Sequence, residues 1–128
     1  MPKKILLNSP QAVTNYLREK LGREKKEYFV ILLLDSRNNL IKDTIVSIGT
    51  LNANLVHPRE VFKEAVDNRA ASIIIAHNHP SGDPEPSEDD LEITKRLVES
   101  GKILGVEVVD HIIITKTGFI SFKEKNLL

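Results

Sequence analysis

The stretch His77-Asn78-His79-Pro80-Ser81-Gly82-Asp83-Pro84-Glu85-Pro86-Ser87-Glu88-Asp89-Asp90 concentrates residue types that hold metals and activate water. In an extended chain alternate residues point to the same side, so His77 and His79 at a strand end can offer two imidazoles from one face. Pro80, Gly82, Pro84 and Pro86 stiffen and turn the intervening loop, which lets the first turn of a helix opening at Ser87 swing Asp90 back as an oxygen ligand. Two imidazoles and one carboxylate leave a tetrahedral zinc with an open fourth position, the arrangement that lowers the pKa of a water to about 7. A cation would also offset the local charge, since residues 83 to 92 carry six acids and no base. The same letters admit a plainer reading. Ser87-x-x-Asp90 is a capping-box pattern that can simply satisfy the free amides of a helix N-terminus, and an isolated His-x-His can be two surface or half-buried histidines. The coincidence of all these features in one acidic, turn-rich loop between a buried strand and a helix favours a metal.

The elements that must position these residues are legible in the apolar pattern. Ser9-Pro10 reads as an N-cap with proline at the first helical position, and Val13, Tyr16, Leu17 and Leu21 follow at helical spacing, so a helix is predicted over 10 to 21. Tyr28 to Leu34 is wholly apolar and leads through Asp35-Ser36-Arg37-Asn38-Asn39 into Leu40 to Ile48, a hairpin with one deeply buried strand. Pro58 starts a second helix to about Asn68, with Val61, Phe62, Ala65 and Val66 on its inner face. Ser72 to about His77 is a further buried strand. Ser87 to Leu104 is a third helix, with Leu91, Leu97, Val98 and Leu104 among its apolar positions. Val106 to Thr115 and Phe119 to Phe122 close the chain as strands around Thr117-Gly118. The alternation implies an α/β fold, one mixed β-sheet flanked by helices.

Composition narrows the function classes. A chain of 128 residues suits a single domain with a real core, spanning 1–128. Without cysteine, neither disulfides nor thiolate zinc sites are available, which leaves His and carboxylate as the strong ligands. Eighteen basic residues balance eighteen acidic ones, so no global field draws the protein to DNA or to an anionic membrane. The charge is uneven all the same: residues 1 to 26 carry seven bases and two acids, a run that ordinarily forms a solvated face. No apolar run approaches a membrane span, and three consecutive apolar residues after Lys3-Lys4 are too few for a signal peptide, so a cytoplasmic location is expected. His57, before Pro58, and His111, in an apolar strand beside Asp110, read as structural residues or as support for a neighbouring site, and neither is taken as a ligand.

Residues 77 to 90 resemble the JAMM metalloprotease motif, His-x-His, seven residues, Ser, two residues, Asp, with matching spacing throughout. The surrounding Ile48-Gly49-Thr50-Leu51-Asn52, His57-Pro58-Arg59-Glu60 and Ala76-His77-Asn78-His79-Pro80-Ser81-Gly82-Asp83 resemble the bacterial RadC family more specifically, over nearly the whole chain. The resemblance implies a Jab/MPN fold, similar to the cytidine deaminases. It also implies one Zn2+ per chain on His77, His79 and Asp90, with Ser87 steadying an oxyanion. Glu27, just ahead of the long apolar strand, is similar in placement to the family's general base. The implied function is zinc-dependent hydrolysis of amide bonds, peptide or isopeptide, with a metal-activated water and a peptide or protein substrate. A non-catalytic Jab/MPN scaffold domain and a DNA-associated protein are the alternatives, the latter unsupported by charge. Longer RadC proteins carry a helix-hairpin-helix region ahead of this domain, to which nothing in this sequence corresponds.

Overall fold

The computed structural model describes residues 4–128; residues 1–3, where the basic N-terminal segment begins, lie outside the described residues. The described residues form a five-stranded sheet and three α-helices: α1 (Pro10–Leu21), β1 (Tyr28–Leu34), β2 (Leu40–Ile48), α2 (Pro58–Asp67), β3 (Ser72–Asn78), α3 (Glu88–Leu104), β4 (Glu107–Ile114) and β5 (Phe119–Ser121). The strand order is β2-β1-β3-β4-β5. Only β3 and β4 run parallel, joined over the sheet by α3; the other neighbours are antiparallel. This is the mixed α/β architecture expected, with one unexpected 3₁₀ turn at Ala53–Leu55, where the Asn52 side chain accepts from the Asn54 amide.

Two cores follow from the two faces of the sheet. Phe29, Ile31, Leu33, Ile73 and Ile75 face α2 and α3, packing with Val61, Phe62, Ile93 and Leu97. Val30, Leu32, Leu34, Ile74 and Ala76 face α1, packing with Val13, Leu17 and Leu21. Strands buried on both faces lose the polar alternation of a half-exposed strand, which is why β1 and β3 read as unbroken apolar runs. Each aliphatic side chain sealed here contributes about 1.5–3 kcal/mol.

The inner face of α2 differs from expectation at Val66, and the apolar positions of α3 are not all buried. Val66 is 58% exposed, and Leu91 and Leu104 are 40% and 53% exposed. The buried stripe of α3 is Asp90, Ile93, Thr94, Leu97 and Gly101, a regular three-four spacing that includes two polar residues. Apolarity misreads this helix because its inward face is partly polar.

The registers decide what meets at one edge of the sheet. Phe29 pairs with His77 and Tyr28 pairs with Ile48, so the start of β1, the end of β2 and the end of β3 lie together. Parallel pairing brings the end of β4 beside them, and the His79 amide donates to the Ile114 carbonyl at 2.9 Å. At this edge gather Glu27, the 49–51 loop, and His77 with its successors. Open α/β sheets bind their ligands at such strand ends.

Candidate metal centre

His77 continues the parity of Ile73 and Ile75, so its ring enters the α3 side of the sheet and is buried to 1% exposure. Beyond it Gly82, at φ +92°, turns the loop, and its amide donates to the His79 carbonyl. Residues other than glycine rarely adopt that backbone conformation. The turn returns the chain to Ser87, the N-cap of α3. The capping box is complete: the Asp90 amide donates to Ser87 Oγ at 3.0 Å, and the Ser87 amide donates to Asp90 Oδ2 at 2.8 Å.

The same carboxylate holds both histidines. His77 Nδ1 donates to Asp90 Oδ1 at 3.0 Å, and His79 Nε2 lies 3.1 Å from Asp90 Oδ2. Capping and site formation are thus a joint property of Asp90, whose side chain is 0% exposed. Burial alone would push its carboxyl up, but the hydrogen bonds from His77, His79 and the Ser87 amide outweigh burial and hold it well below the usual carboxylate range. His79 is held above the ordinary histidine value: burial opposes its charge, and the contacts with Asp90 and with the Asp83 carbonyl outweigh that.

Both imidazoles are anchored through Nδ1, His77 on Asp90 and His79 on the Asp83 carbonyl at 2.9 Å. That anchoring leaves His77 Nε2 free for a metal, whereas His79 Nε2 also lies against Asp90 Oδ2. His77 Nε2 is buried without a hydrogen-bond partner and faces Glu27 Oε2 at 3.8 Å. Among the described residues, Glu27, His77 and His79 form one group able to hold a metal ion, and His77, Asp90 and His111 form an overlapping one. An orphaned imidazole nitrogen grouped with a second histidine and a carboxylate suits an ion that takes nitrogen and oxygen ligands, although neither group joins His77, His79 and Asp90 together.

Glu27 precedes β1 and is tied down from two directions. Its Oε2 accepts from the Leu51 amide at 3.2 Å, and its carbonyl accepts from the Gly49 amide at 2.7 Å. Asn78, between the two histidines and turned to the opposite face, clamps the residues on either side of Glu27. Its Oδ1 accepts from the Tyr28 amide at 2.6 Å, and its Nδ2 donates to the Lys26 carbonyl at 3.0 Å. The 49–55 segment is held to α3 by Asp89 Oδ1, which accepts from the Ala53 amide, and by Arg96 Nη1, which donates to the Ala53 carbonyl.

The five residues singled out in the sequence, Glu27, His77, His79, Ser87 and Asp90, therefore gather at one edge. His57 is exposed at the start of α2 and belongs to neither donor group. His111 lies wholly buried behind the site, stacked on Phe122, its Nδ1 2.6 Å from Thr94 Oγ1, whose hydroxyl donates to the Asp90 carbonyl. Desolvation pushes His111 down to about 3, so it stays neutral. Sequence reasoning missed Asn78 and Thr94. The signal for Thr94 was its place one helical turn after Asp90, and for Asn78 its parity opposite to the histidines.

A family model described as a RadC-like JAB domain matches residues 7–127. A UPF0758 protein of Methanosarcina mazei is 48% identical over 122 residues, 95% of this chain and 53% of its own length. One from Alkaliphilus metalliredigens is 52% identical over 122 residues with the same coverage, and one from Bacillus cereus strain Q1 is 53% identical over 119 residues, 93% of this chain and 53% of its own. The chain spans about half the length of the curated relatives it matches, and their names state no activity. Among the described residues no helix is long and apolar enough to cross a membrane. With its fold and its matched residues taken together, the chain belongs to the RadC family and comprises a RadC-like JAB domain.

Proposed function

We propose that this domain is a zinc-dependent hydrolase of amide bonds, peptide or isopeptide, taking one Zn2+ per chain on His77, His79 and Asp90. The observation that carries the reading is the buried, unpartnered His77 Nε2, facing Glu27 Oε2 at 3.8 Å, on a ring whose Nδ1 is held by Asp90, the carboxylate that also lies 3.1 Å from His79 Nε2. When bound, zinc supplies Lewis acidity and brings the pKa of a water to about 7. Asp90 is held ionised, and histidines bind a metal only as neutral rings, so a metal competes with protonation of His79, whose contacts with Asp90 and the Asp83 carbonyl favour its charged form.

Glu27 is the proton carrier in this reading. Oε2 is fixed by the Leu51 amide, and the carboxylate can take a proton from the attacking water and return it to the leaving amine. Ser87 Oγ uses an acceptor site for the Asp90 amide, so its O–H remains free to donate to a developing oxyanion. Peptide or protein substrates suit this chemistry.

One observation favours a second reading, a non-catalytic scaffold: Ser87 and Asp90 complete a capping box that gives both residues a structural role in α3. Metal stoichiometry on purified, tag-free protein separates the two. About one zinc per chain in the wild type, lost in His77→Ala and in Asp90→Ala, supports the hydrolase and justifies screening peptides and isopeptides with Glu27→Gln as the inactive control. A wild type that takes up no zinc when it is added back sinks the hydrolase and leaves the scaffold.

A further inference from the structure

We propose that the cleft beside His79 is a subsite for a carboxylate-bearing residue, and hence that the ligand of this domain is an acidic peptide segment. That this ligand is a substrate rests on the hydrolase reading; the binding does not. The cleft, of about 330 Å³, lies between the residues that follow α1 and the ends of β3 and β4, with buried Leu21 and Ile114 and the proposed ligand His79 among its lining. Exposed Arg23, Lys25 and Lys116 line it too, brought together from two distant parts of the chain, against a single acid, Glu24.

Lys20, Lys42, Arg59, Lys63 and Arg96 form salt bridges, while most other bases of the described residues form none. Arg23, Lys25 and Lys116 form none among the described residues. What sets these three apart is their convergence on one cleft against a single acid, which gives it a local positive field in a chain of net charge zero. The basic run noted in the sequence thus divides in two: Lys20 is taken up by Asp43 at 2.6 Å, while Arg23 and Lys25 are left to the cleft.

The opposite flank of His79 decides the class of ligand. Its Nδ1 is bonded to the Asp83 carbonyl, in the loop where Asp83, Glu85 and Glu88 are exposed. A nucleic acid laid past His79, carrying a charge at every phosphate, would meet those carboxylates. A peptide can place one carboxylate in the cleft and present neutral or basic residues to the acidic flank. The volume agrees, being at the small end of ligand pockets and sized for a side chain or two.

The test uses the full chain, uniformly 15N-labelled, both metal-free and zinc-loaded. It is titrated with blocked Ala-Glu-Ala, Ala-Gln-Ala and Ala-Lys-Ala and with a single-stranded octathymidylate. The Glu peptide is expected to move the amide resonances of Gly22, Lys25, Thr115 and Lys116 with about fivefold higher affinity than the Gln peptide. Combining Arg23→Ser, Lys25→Ser and Lys116→Ser is expected to erase that preference and leave zinc stoichiometry at the wild-type value. Equal response to Glu and Gln, shifts confined to other residues, or octathymidylate moving these amides at lower concentration would each overturn the proposal. A protein that takes no zinc yet still prefers Glu over Gln refutes the hydrolase and sustains the subsite.

Discussion

Replacing Asn78 with alanine is expected to destabilise the fold by about 1.5–4.5 kcal/mol and to release Glu27 while leaving every proposed metal ligand in place. Asn78 is 4% exposed and fully employed: its carbonyl oxygen takes the Tyr28 amide at 2.6 Å and its amino group reaches the Lys26 carbonyl at 3.0 Å. Alanine deletes both bonds. Stranding a buried amide costs about 1–3 kcal/mol. Lys26 is exposed, so water can reach its carbonyl, and losing the second bond adds about 0.5–1.5 kcal/mol. A domain of typical stability survives that loss. Urea unfolding of the metal-free protein measures the total, and amide exchange supplies the local readout.

Glu27 Oε2 accepts from the Leu51 amide, so freeing Glu27 should speed exchange at Leu51 beyond what global destabilisation imposes on Ile74 in the sheet core. Asn78→Asp should do no better than alanine, because its second oxygen would face the Lys26 carbonyl. A stability loss under about 0.5 kcal/mol, or parallel acceleration at Leu51 and Ile74, would refute the clamp.

With a chelator present, stability should fall between pH 6.5 and 3: His111, buried and pushed down to about 3, stays neutral in the fold while the unfolded chain takes a proton near 6.5, costing about 2 kcal/mol by pH 5. A His111→Gln variant should show a flatter profile over that window in chemical denaturation, and an unchanged slope would argue against a buried neutral imidazole. Ser87→Ala should cost about 1 kcal/mol in urea unfolding through the lost cap while zinc stoichiometry holds; loss of zinc would mean that Ser87 supports the metal directly. Gly101→Ala should destabilise by about 1–3 kcal/mol in the same assay, since a Cβ there would sit 2.3 Å from the Val106 carbonyl oxygen, and a neutral result would show that the α3–β4 junction can relax.

Legibility in the sequence tracked how local each cause was. His77 and His79 share a side because strand parity is a two-residue rule, and Asp90 returns because Ser87 sets the start of the helix within the same turn. Glu27 had no such cue. It meets His77 only because Phe29 pairs with His77, a register fixed by contacts some fifty residues apart. The resemblance to a family had to supply it. Asn78 was hidden for a related reason: its partners are the backbone at 26 and 28, and backbone carries no letter. The inward face of α3 is not legible from apolar letters alone, because Asp90 and Thr94 occupy two of its positions while Leu91 and Leu104 are exposed.

Asp90 shows why the plain and the functional reading of a motif need not compete. A carboxylate at the third position of a helix normally reaches back to the N-cap amide and stops there. Here Oδ2 does so at 2.8 Å while also lying 3.1 Å from His79 Nε2, and Oδ1 is left for His77 at 3.0 Å. The cap fixes the rotamer, and the fixed rotamer aims the remaining lone pairs at the two imidazoles. A free Asp side chain would lose rotamer entropy on binding a metal; this one has lost it on folding. In the proposed metal site the capping pattern is therefore a precondition, because it holds the carboxylate in position on folding.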